Sequence, residues 1–152
     1  MRAGRTADAL KALETAYTNP LERYEQEAEI YHKLADKENA RRVMKQWYEE
    51  LFSIKNQDMS GEKAKYYDSL AWTELVCGDA TRAIRCFEKE IALKKVNQSD
   101  PDNSGVYCDL IFAAALSGED KIAMVYAKRL IDFLEKKRRE GVNLHYEMAK
   151  IA

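Results

Sequence analysis

The sequence predicts an all-α fold, an α-solenoid of stacked antiparallel helix pairs with units of about 40 residues. Three observations predict it. Apolar residues recur three and four positions apart over almost the whole chain, the period of an amphipathic helix. The chain holds 6 Gly and 2 Pro in 152 residues, about 5% where about 12% is average. That is too few for the many turns of a β-sandwich or barrel. Similar turn-centred segments also return along the chain, the signature of a repeat architecture.

The length fits one domain, taken as residues 1–152. Lys and Arg number 25 against 26 Asp and Glu, for a net charge of −1. This balance opposes a basic field for nucleic acid. Hydrophobic residues at 46% and charged ones at 34% fit neither a disordered chain nor a membrane-spanning one. No window approaches 18 uncharged apolar residues, so no membrane span is expected. Residues 1–17 lack the continuous apolar core of a signal peptide. Cys77, Cys86 and Cys108 are odd in number and form no CxxC pair. They read as buried small hydrophobes, which implies a reducing compartment. A cytoplasmic location is the expectation.

The elements follow in order. Ala9, Leu10, Leu13, Ala16 and Tyr17 form one stripe, predicting a helix over 6–17 with Thr6 as its cap. Asn19-Pro20 punctuates it and opens a helix over 21–34, with Tyr24, Ala28, Tyr31 and Leu34 on one face. Asp36 to Glu38 is a polar turn. Ala40, Val43, Met44, Trp47 and Leu51 then predict a helix over 39–54. A loop over 56–61 leads to a helix over 62–77, carrying Tyr66, Tyr67, Leu70, Ala71 and Leu75. Gly78-Asp79 ends it, because glycine reaches the left-handed conformation that closes helices. The next helix, 81–96, carries Ala83, Ile84, Phe87, Ile91 and Leu93. Residues 97–104 are the most loop-like stretch. An apolar helix over 106–116, a turn at 117–120 and a helix over 121–139 follow. The last carries Ile122, Ala123, Tyr126, Leu130, Phe133 and Leu134. Gly141 stops it, and Asn143 caps a short helix over 144–152.

The turns repeat. In AGRTADALKALETA, VCGDATRAIRCFEKEI and LSGEDKIAMVYAKRL, a Gly precedes a polar residue, and Ala9, Ala83 or Ala123 stands five residues on from the Gly. KLADKENARRVMKQW is a fourth copy, with Ala35 in the glycine position and Ala40 following. Gly4, Ala35, Gly78 and Gly118 are spaced 31, 43 and 40 apart. Small residues there let two helix backbones approach, and a larger residue four positions on fills the space beneath.

These segments resemble tetratricopeptide repeats, over nearly the whole chain. Tyr67, Leu70, Ala71, Gly78-Asp79, Ala83 and Phe87 stand in that family's order. Tyr107, Leu110, Gly118 and Ala123 follow it with Ala127 in an aromatic position, as do Tyr24, Ala28, Tyr31 and Ala40 with Met44 there. The closing proline and the strict 34-residue period of the family are missing. Other α-solenoids and a compact bundle are the competing architectures. The resemblance implies helix pairs over 21–54, 62–96 and 104–139. It also implies a lone second helix over 4–17 and a terminal helix over 143–152. Either the chain is a stretch of a longer array, or these lone helices are atypical caps.

No catalytic motif is written here: GxGxxG, GxxxxGK[ST], GxSxG and HExxH are all missing. His32 and His145 lie on different segments, and Glu29 beside His32 is a weak metal pair. No enzyme, metal or cofactor is expected. The basic run Lys136 to Arg139 suits the end of a helix, where cations oppose the negative pole of the dipole.

In tetratricopeptide proteins the first helix of each pair lines a concave groove. The resemblance therefore implies a binding face of Glu25, Glu29 and His32, then Asp68, Trp72 and Leu75, then Cys108, Asp109, Phe112 and Leu116. Trp72 and Phe112 stand one position off the buried stripe. They either meet a partner or pack on the neighbouring unit. Some family members clamp a chaperone's C-terminal carboxylate. Here only Lys33 and Lys65 suit that role, and Glu29, Asp68 and Asp109 would repel it. The expected function is a non-catalytic scaffold that holds a protein or peptide segment in its groove. A peptide-sensing regulatory module of a larger signalling or transcription-regulatory protein is the alternative.

Overall fold

Helical periodicity is realised throughout residues 2–97 and 102–140, which a computed structural model of the chain describes. Among these residues there are seven α-helices and no strand. They are α1 (Arg2–Ala16), α2 (Pro20–Lys33), α3 (Lys37–Ser53), α4 (Ser60–Val76), α5 (Ala80–Asn97), α6 (Ser104–Ser117) and α7 (Asp120–Arg139). The helix expected over 143–152, with His145, lies outside the described residues. None of the described helices is long and apolar enough to cross a membrane.

Three turns share one geometry. After α2, the Asp36 amide donates to the Tyr31 carbonyl at 3.0 Å and the Ala35 amide to His32 at 3.1 Å. After α4, the Asp79 amide donates to Glu74 at 2.8 Å and the Gly78 amide to Leu75 at 3.0 Å. After α6, the Glu119 amide donates to Ala114 at 2.9 Å and the Gly118 amide to Ala115 at 3.2 Å. This pair of bonds is the Schellman closure, which satisfies carbonyls that a helix end leaves open. It requires a left-handed residue, and Ala35, Gly78 and Gly118 have φ of 53°, 85° and 72°. The residue that follows starts the next helix. Asp36 accepts from the Asn39 amide at 3.1 Å and Asp79 from the Arg82 amide at 3.0 Å.

Ala35 carries a Cβ in a conformation that disfavours one by about 1–2 kcal/mol. Ala35→Gly relieves this and adds freedom to the unfolded chain. The expected net gain is about 0.5–1 kcal/mol in urea denaturation. A loss of stability would show that the turn is not held as described.

Some boundaries differ from expectation. Gly4 lies inside α1 and not at a turn, and Thr6 is likewise interior. A single glycine near a helix end weakens it by only about 1 kcal/mol, so the chain continues through. Lys37 and Glu38 belong to α3 and not to a polar turn, because the Asp36 side chain already caps at that point.

Helix α2 packs on α3, α4 on α5 and α6 on α7, while α4 also meets α2 and α3, and α6 meets α5. Ala28 and Ala40 are fully buried in one hydrophobic cluster with Val43, Trp47 and Leu51. Ala71 and Ala83 are fully buried in a second with Phe87, Leu110 and Ala113. Alanine at these positions lets the helix backbones lie close, where a larger residue would force strain. Tyr67 and Leu70 of α4 pack against both clusters, so α4 is the element that joins them. Leu130 and Leu134 form a third, smaller cluster with Tyr107, Cys108, Ile111 and Phe133.

Candidate functional site

The contact between α2 and α4 shapes a polar concavity. Glu25, Glu29, His32 and Lys33 repeat at helical spacing on α2. Asp68, Ser69 and Trp72 do so on α4. Together they line a cleft of about 320 Å³. A second recess of about 290 Å³ shares Glu25 and Asp68 with it. Gly61, Ala64 and Lys65 of α4, and Glu90 and Lys94 of α5, complete its wall.

His32 locks the floor. Its Nε2 lies 2.7 Å from Thr73 Oγ1, and the Thr73 hydroxyl donates to the Ser69 carbonyl at 3.0 Å. Thr73 has one proton to give. With that proton on Ser69, its oxygen accepts from His32 Nε2–H. Burial pushes the His32 pKa down, and the nearby Glu29 only partly opposes this, so the ring is neutral at pH 7. Glu29 pairs with Lys33 at 2.7 Å on the exposed rim, a contact worth little in water.

The second recess is acidic too, with Glu25, Asp68 and Glu90 in its wall. Burial, then Glu90, push the Asp68 carboxyl up to about 7; Lys94 opposes the shift and Glu25 adds to it. Burial also raises Glu25, against the pull of Lys65. It raises Glu90 as well, although Lys94 Nζ donates to Glu90 Oε1 at 2.7 Å. Three carboxylates thus share a partly dehydrated recess, with Lys94 paired to Glu90 and Lys65 turned to Glu62 at 3.3 Å.

Glu25, Glu29, His32, Asp68 and Trp72 line one cleft. Trp72 is half-buried. It sets its ring edge-on to Phe87 at 6.2 Å and still lines the cleft, so it serves both core and surface. Leu75 packs against the second cluster instead of standing free. The α6 residues stand apart from the cleft lining. Cys108 packs against Leu130 and Leu134, towards α7. Asp109 acts on Glu90 through space. Phe112 and Leu116 are exposed, at 51% and 61%.

Sequence reasoning missed Glu90 and Lys94, because they belong to the second helix of a pair. A signal was present. Ala83, Phe87, Glu90 and Lys94 lie four, three and four apart, which places Glu90 on the buried stripe of α5. No group of three His, Cys, Asp or Glu side chains suited to a metal ion occurs among the described residues.

The fold and site define an all-α protein with an acidic cleft flanked by a half-buried tryptophan. Compared with protein-family models, curated proteins and solved structures, the chain matches none of them.

Proposed function

We propose that this chain is a non-catalytic protein-interaction module, a short tetratricopeptide-like solenoid that holds a segment of a partner protein. The face formed by α2 and α4 receives that segment. The observation that carries the reading is the cleft itself, where the apolar face of Trp72 is edged by Glu25, Glu29 and Asp68. An aromatic anchor point beside fixed charge suits peptide recognition, since aromatics supply contact area and charge supplies specificity. Phe112 and Leu116 offer further exposed apolar surface on α6. Three matching turns, spaced 43 and 40 residues apart, support the stacking.

Two measurements test this reading. A compact globule of this length has a radius of gyration of about 15 Å; a stacked array exceeds it in X-ray scattering, and a value at the compact figure rejects the solenoid. For binding, a displayed random-peptide library is selected against the chain, and the selected peptides are titrated by calorimetry. Trp72→Ala is expected to weaken them at least about tenfold, or about 1.4 kcal/mol, while remaining folded by circular dichroism. The reading fails if no peptide is selected, or if the folded variant binds as well as the parent.

A further inference from the structure

Glu90 sits on α5 between Phe87 and Lys94 and is only 4% exposed, yet it lines the recess that α4 and α2 close. One of its oxygens takes the ammonium of Lys94. The other, Oε2, is buried and has no hydrogen-bond partner among the described residues. A buried carboxylate oxygen without a donor is strongly unfavourable, and folded proteins seldom keep one without cause. Asp68 faces the same space and forms no hydrogen bond or ion pair among the described residues, and Glu25 completes the wall. Three carboxyl groups, Glu25, Asp68 and Glu90, thus outnumber the two lysines of the wall, Lys65 and Lys94, and Glu90 brings to it a buried acceptor oxygen without a donor.

We infer that the recess bounded by Glu25, Asp68 and Glu90 receives one cationic side chain, a lysine or arginine of the bound segment. The inference rests on reading this face as a peptide-binding surface, and it names the residue type that the surface selects. An ammonium or guanidinium supplies the donors that Glu90 Oε2 and Asp68 lack, and charge-assisted bonds of that kind are the stronger ones. A volume of about 290 Å³ admits the end of such a side chain but not a folded element. Lys94 is the resident cation beside it, so an incoming cation adds to Lys94 or displaces it towards solvent.

The test uses small probes of this chemistry on the whole chain. Butylammonium and butylguanidinium chlorides are titrated into ¹⁵N-labelled protein and followed by amide chemical shifts. Butanol and sodium chloride at equal ionic strength serve as controls. The expected result is saturable movement at Asp68, Glu90 and Lys94 with the cations alone. Asp68→Asn, which keeps the shape and removes a charge, is expected to weaken the probe several-fold. Lys94→Met removes the competitor and is expected to tighten it. Shifts that sodium chloride reproduces, or affinities unchanged in Asp68→Asn, would overturn the inference.

Failure here is separable from failure of the peptide-binding reading. Selected peptides that bind through Trp72 but carry no common Lys or Arg would overturn the cationic recess and leave the module standing. Butylammonium bound at Asp68 with no peptide selected would uphold the recess and remove the module.

Discussion

Trp47→Ala is expected to destabilise the protein by about 3–5 kcal/mol, the usual result of emptying a fully buried aromatic site. Trp47 lies at the centre of the cluster formed by α2, α3 and α4. Tyr24 stacks on it at 6.5 Å, and Tyr66 meets it edge-on at 5.6 Å. Neither ring can move in without losing its own packing, so a cavity remains. A second substitution separates packing from polarity. The indole N–H of Trp47 is buried and has no acceptor among the described residues. Trp47→Phe forfeits part of the ring volume but removes a donor whose burial is unfavourable by about 1–3 kcal/mol. The two effects oppose, and a change within about 1 kcal/mol is expected from urea denaturation. If Trp47→Phe is as damaging as Trp47→Ala, the N–H has a partner and the cluster is misdescribed.

Asp68→Asn is expected to stabilise the protein, and to do so more as pH rises. The folded carboxyl is raised to about 7, above its unfolded value. The folded state therefore holds a proton that the unfolded state has already released. The stability tied to that proton is complete below the ordinary carboxylate range and is lost as pH climbs through about 7. The groups that set it are Glu25 on α2, Glu90 and Lys94 on α5, and burial itself. Ionising Asp68 in the fold corresponds to about 2–4 kcal/mol. Asparagine has no charge to form, so its advantage over the parent grows by about 2 kcal/mol between pH 5 and pH 8. Parallel denaturation curves at the two pH values measure it. An advantage independent of pH would mean that Asp68 is ionised normally in the folded protein. The same substitution is expected to weaken cation binding, so stability and binding move in opposite directions, as they do where a site holds charge for a ligand.

Much of the helical framework was legible in the residues. Gly78 and Gly118 announced left-handed turns, and the register of the copies put Ala35 in the same place, where φ is 53°. Of the four alanines five residues on, which read as close-approach points, Ala40 and Ala83 are fully buried, Ala123 is half-buried and Ala9 is exposed. These features are local, because a turn's dihedral and a helix's apolar stripe depend on residues a few positions apart. The same register misplaced Gly4, because a helix tolerates one glycine and the residues around it favour continuation.

The candidate site divides along the same line. The tetratricopeptide resemblance pointed to the first helix of each pair, and helical period then grouped Glu25, Glu29 and His32 on one face of α2, and Asp68 and Trp72 on one face of α4. The sequence by itself therefore determined which residues each helix presents. Only the tertiary structure decided which faces meet. The approach of α2 to α4 closes one cleft, and α5 carries Glu90 into its neighbour. Trp72 is shared between Phe87 and the surface, while Cys108 turns to α7. The protonation of Asp68 was decided there too. Desolvation and the field of Glu90 arise when helices distant in sequence exclude water together, and no window of residues along one helix contains that information.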